Sequence, residues 1–85
     1  MPRFYFDINV GVGEFDRDDH GTECTDLEAA RGKILASLPD LSGLITEEGG
    51  DDQAVTILVR DEGGSGVYKA TLTFTGRRLN RVGSL

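Results

Sequence analysis

The chain reads as an α+β domain of the order β-β-α-β-β: an antiparallel sheet with one face covered by a helix that is kinked or broken at Pro39. Three observations predict this. Residues 3–10 and 67–75 alternate apolar and polar side chains with a period of two, the pattern of strands with one buried face. Between them Leu27, Ala30, Ile34, Leu38, Leu41 and Ile45 recur at helical spacing and line one face of a helix. A length of 85 residues suits one small domain, with strands grouped on either side of a helical segment rather than in repeated βαβ units.

In the first strand Phe4, Phe6, Ile8 and Val10 share one face, while Arg3, Tyr5, Asp7 and Asn9 share the other. Gly11-Val12-Gly13 supplies a turn, and Glu14 to Arg17 are expected to return as a short antiparallel strand with Phe15 inward. Asp18-Asp19-His20-Gly21 is a second turn, built from residues that accept left-handed or locally hydrogen-bonded backbone. Thr25 and Glu28 match a capping box, with Asp26 a rival N-cap one position on. Cys24, just before the cap, is placed to pack back on the first helical turn. Proline clashes with the preceding helical turn, so at Pro39 the helix kinks, or ends while a second short helix starts from Ser37 or Leu38. Gly49-Gly50 closes the helical region.

Ala54 to Arg60 reads as a strand with Val55, Ile57 and Val59 on one face, and Asp61 to Gly66 as a hairpin loop. From Val67 to Thr75, Tyr68, Ala70, Leu72 and Phe74 point inward, with Val67, Lys69, Thr71, Thr73 and Thr75 outward. The domain is expected to span residues 1–76, and residues 77–85 a flexible basic tail.

The formal net charge is −6, unevenly spread: all 15 acids lie in residues 1–62, while residues 63–85 hold only bases, Lys69, Arg77, Arg78 and Arg81. An acidic surface repels phosphate backbones, which argues against nucleic-acid binding. The chain has no apolar run of the ~18–20 residues a membrane span needs, and a single cysteine excludes an internal disulfide. A cytoplasmic protein with no membrane partner is expected.

The glycine-rich runs carry no phosphate chemistry. Gly11-x-Gly13 has Asp16 where a dinucleotide loop needs its third glycine, and Gly63-Gly64-Ser65-Gly66 lacks the lysine of a phosphate loop. Asp16 to Gly21 opens like a calcium loop, but its fifth position is His20 and its twelfth is Leu27, where a bidentate acid is required. His20 and Cys24 are too few ligands for zinc. As a nucleophile pair they lack a third, orienting group. Strand parity sends Asp7 away from the core, and nothing in the pattern marks a buried acid of the kind acid–base catalysis uses. No catalytic residue, cofactor or metal site is therefore assigned.

The opening Met-Pro-Arg-Phe-Tyr-Phe-Asp, the segment Asp19-His20-Gly21-Thr22-Glu23, the stretch Asp26-Leu27-Glu28-Ala29-Ala30-Arg31 and the late Val59-Arg60-Asp61-Glu62 together resemble a family of small bacterial proteins. Its members usually begin Met-Pro-Arg-aromatic-Phe-Asp and carry a Gly-Thr-Glu-Leu-x-Asp-Leu-x-x-Ala-Arg stretch. That family is a domain of unknown function, so the resemblance supports the fold and implies no activity. Cys24 stands where its leucine is usual, and Pro39 interrupts the helix. Phe4 to Arg31 is also loosely similar to the HicB-type antitoxins, which open with a strand hairpin followed by a Leu-Glu-x-Ala helix.

The leading reading is a small acidic interaction module, homodimeric and non-enzymatic. A second copy would cover the outer sheet face (Tyr5, Leu58, Val67) or pair an edge strand. One alternative is an antitoxin-like protein whose acids between Glu14 and Glu28 hold a basic partner. Another is a small enzyme or ligand-binding protein using the Cys24 and His20 region. The candidate contact residues are Asp16, Asp18, Asp19, His20, Arg77, Arg78 and Arg81.

Overall fold

The computed structural model describes residues 1–11 and 13–80, so Arg81 lies outside the described residues. The architecture is α+β, with strands β1 (Arg3–Val10), β2 (Thr22–Glu23), β3 (Asp52–Arg60) and β4 (Gly66–Thr75). They form one sheet of order β2-β1-β3-β4, every neighbouring pair antiparallel. Helices α1 (Leu27–Ala36) and α2 (Leu38–Ser42) connect the first half of the sheet to the second.

The helical region breaks where proline requires it. Asp26, not Thr25, is the N-cap of α1: its carboxylate accepts from the Ala29 N–H at 2.9 Å. Ser37 ends α1 and begins α2, its hydroxyl donating to the Lys33 carbonyl at 2.9 Å. Pro39 then falls in the first turn of α2, where its missing N–H has no intrahelical partner to lose. A three-residue 3₁₀ turn, Glu47–Gly49, follows. Gln53 clamps it to β3, accepting from the Thr46 N–H at 3.0 Å and donating to the Thr46 and Gly50 carbonyls at 2.7 Å.

The core lies between α1 and the sheet. Phe4, Val55, Ile57 and Val59 from the strands meet Cys24, Ala30, Ile34 and Leu41. The register explains the grouping. Phe6 stands opposite Val59 and Ile8 opposite Ile57; β3 sets Val59 against Tyr68, Ile57 against Ala70 and Val55 against Leu72. Directly opposed residues share a face, so all of these present to the helix.

Three expectations are corrected. Glu14 to Arg17 form no strand: Asp16 alone bridges to Ile8, and the return strand is the two-residue β2 further on. Since Asp16 takes the face of Ile8, Phe15 takes the other and is exposed. Val10 and Phe74, assigned to the buried face, are 51% and 44% exposed: Val10 is the last residue of β1, and Phe74 lies near the end of the terminal strand, opposite Gln53. Asp7 does sit on the face away from the helix, yet it is only 4% exposed. The segment that follows β1 folds back along that strand and roofs it.

Candidate functional site

The roofed face is held by charge. Arg60, the last residue of β3, donates from Nε to Asp7 Oδ2 at 2.6 Å and from Nη2 to Asp7 Oδ1 at 3.0 Å, a bidentate pair that fixes both planes. The same Nη2 reaches the Asp18 carbonyl at 3.0 Å, and the Asp18 N–H donates to Asp7 Oδ1 at 2.9 Å. The guanidinium carbon lies 5.0 Å from the centroid of the Tyr5 ring, a cation–π distance. Hydrogen bonds from Arg60 hold the Asp7 carboxyl below the ordinary carboxylate range, against the opposing effect of burial. The same bonds hold the Arg60 guanidinium in its protonated form.

Asp18 is the keystone of the turn. Its Oδ2 accepts from the Phe6 N–H at 3.1 Å and its Oδ1 from the His20 and Gly21 N–H groups at 3.0 Å. Burial pushes this carboxyl up, but the N–H groups of Gly21, Phe6 and His20 outweigh it and leave it below the ordinary range. Gly21 has φ +72°, and a Cβ there would fall 2.7 Å from Arg3 Cγ and 2.9 Å from Tyr5 Cε2. The turn is thus closed tightly over β1. Arg3 ties its far end, donating to the His20 carbonyl at 2.9 Å and to Glu23 at 3.1 Å.

The structure separates the candidate residues. Asp18 has both carboxylate oxygens engaged with backbone, whereas the Asp16, Asp19 and His20 side chains are exposed. Asp18 and Asp19 border a polar cleft of about 310 Å³ with Tyr5, Arg17, Arg60, Asp61 and Glu62. Cys24 is 2% exposed and belongs to the core, an environment that suits packing and withholds the thiol from substrate. Arg77 and Arg78 are exposed just beyond β4, Arg78 bordering a second cleft beside Glu47 and Asp51. Among the described residues, no group of three or more His, Cys, Asp or Glu side chains is placed to hold a metal. No helix there is long and apolar enough to cross a membrane.

A different surface emerges at β4. A helix is about 10 Å across and strands are ~4.8 Å apart, so one helix roofs only about two strands of four. The uncovered strip toward β4 is a groove of about 230 Å³ between α1 and the sheet, lined by Leu35, Leu38, Tyr68, Ala70 and Leu72 among others. Leu35 in its wall is 48% exposed, and Phe74, two residues on from Leu72 along β4, is 44% exposed and borders the cleft that holds Arg78. Among the described residues β4 is terminal in the sheet, and no strand there pairs with the outer main-chain N–H and C=O groups of its ten residues. Alternation in the sequence marks these side chains as strand residues; nothing in it says which strand is outermost, so the groove and edge were not legible as a site.

The family model described as Domain of unknown function (DUF6894) matches residues 3–73. No curated protein and no solved structure matches the chain.

Proposed function

The chain belongs to the family of the domain of unknown function DUF6894, and we propose that it is a non-enzymatic protein-interaction module that binds through the outer edge of β4 and the adjoining apolar groove. The observation that carries this reading is the coincidence of the two features. An edge strand offers main-chain hydrogen bonds along its length, and the exposed apolar side chains beside it offer burial. Strand addition uses both at once: backbone groups give affinity, and side-chain pockets on alternate residues give selectivity. Natural sheets blunt free edges with charged side chains, lysine above all, with proline or with bulges. β4 carries one such charge, Lys69, and no proline; the register irregularity lies at the far start of the pairing, at Val59/Arg60. One lysine in ten residues leaves the stretch from Ala70 to Thr75 without such a guard.

Amide hydrogen exchange tests this. The outward N–H groups of residues 66–75 are expected to exchange fast in the dilute chain. They should become protected when the chain is concentrated or mixed with an extract of its own cells. Fast exchange along β4 under all of these conditions would overturn the proposal.

A further inference from the structure

We infer that the occupant of the β4 edge is a second copy of this chain, paired antiparallel about a two-fold axis through Thr71; this rests on the interaction reading above. The charges flanking β4 select both the partner and its direction. Asp61 and Glu62 open the hairpin loop that leads into β4, and Arg77 and Arg78 follow its end. Asp61 spends Oδ1 on the Gly63 and Ser65 N–H groups, while Glu62 is exposed. Among the described residues Arg77 and Arg78 make no ion pair. Antiparallel pairing sets each acidic loop against the arginines of the other copy, whereas parallel pairing would set acid on acid and arginine on arginine.

The apolar pattern selects the register. With Thr71 on the axis, Ala70 stands opposite Leu72 of the second copy and Tyr68 opposite Phe74 of the second copy. Opposed residues share a face, so each exposed Phe74 gains an aromatic partner on the helix side of the sheet. On the other side Lys69 meets Thr73 of the second copy, and no like charges are opposed. Arg77 comes opposite Ser65 of the second copy, beside its Glu62. The two grooves join into one apolar trough flanked by Leu35 and Leu38 of both copies, and two four-stranded sheets become one of eight strands. A symmetric contact of this kind is self-complementary and closed, as a dimer requires.

Thr71→Cys tests the register. On the axis its Cα lies about 4.5–5.5 Å from its counterpart, within disulfide reach. Cysteine at 73 lies about 13 Å from its counterpart, four residues along the strand. Oxidised glutathione is expected to convert Thr71→Cys to a covalent dimer and to leave Thr73→Cys and the wild-type chain single. Thr71 is exposed, so Thr71→Lys keeps the fold. It opposes two charges on the axis and raises the dimer dissociation constant by at least about tenfold, and mixing it with Thr71→Glu restores association. Equal cross-linking at 71 and 73, or association indifferent to both charge variants, overturns the inference. Should β4 amides be protected only by the cell extract while Thr71→Cys stays single, the second copy is excluded and the interaction reading stands.

Discussion

The two edges of this sheet are finished in opposite ways. Beyond β1 the chain folds back on itself: the segment from Gly13 to Glu23 runs alongside, bridges at Asp16, pairs again at β2 and is pinned to the sheet through Asp7, Asp18 and Arg60. Beyond β4 the described residues supply no such cover, and the strand is followed by exposed arginines. One edge is closed with buried charge, a costly device that needs every donor and acceptor placed. The other is closed with nothing from within the described chain, although its side chains would gain from burial. The contrast locates the proposed contact: the β1 side is already paired within the chain, and among the described residues the outer side of β4 is not.

Breaking the sealed edge should have the largest effect. Arg60→Ala removes the guanidinium that holds both Asp7 oxygens, and a urea titration should read it as the largest drop in midpoint among these variants. The double variant Asp7→Leu with Arg60→Met should recover most of it, since no charge is then left unpaired. Gly21→Ala should cost about 1–3 kcal/mol, from the left-handed backbone and from the crowding against Arg3 and Tyr5. It should also raise exchange of the Phe6 amide, which Asp18 holds.

Acid should open the same edge. Asp7 and Asp18 both titrate below the ordinary carboxylate value of 3.8 in the folded chain. Their ionised forms therefore contribute stability that is present above that value and lost as pH falls through the lowered ones. The urea midpoint of the wild-type chain should fall more steeply below about pH 4 than that of Asp7→Asn, whose residue 7 has no proton to take up. Equal slopes would remove Asp7 from the account. At the open edge the expected effect on the single chain is smallest: Thr71→Lys should leave folding stability within about 0.5 kcal/mol of wild type, as befits an exposed side chain.

Legibility followed the range of the interactions. Alternation placed β1, β3 and β4, and the proline and cap residues bracketed the helices, because those signals are local. Cys24 was readable as a packing residue from its place before the cap. The return strand was misplaced to Glu14–Arg17, since turn residues there are as compatible with a roofing loop as with a strand, and only the Asp18 carboxylate decides. Asp7 and Arg60 stand 53 residues apart. Strand parity correctly put Asp7 on the outer face, but burial of that face depends on a loop whose position parity does not encode. The β4 surface was hidden for a related reason: the order of strands is a property of pairing between distant segments, so the alternating pattern of Tyr68 to Phe74 reads the same in a central strand as at an edge.

Light scattering of the purified chain over a wide concentration range, run beside Thr71→Lys, tests most directly whether the open edge is a binding edge for the chain itself. The account predicts a wild-type mass rising from one chain to two and stopping there, with the variant held at one chain over the same range. A wild-type mass that stays at one chain throughout, or a variant that associates as well as the wild type, would contradict it.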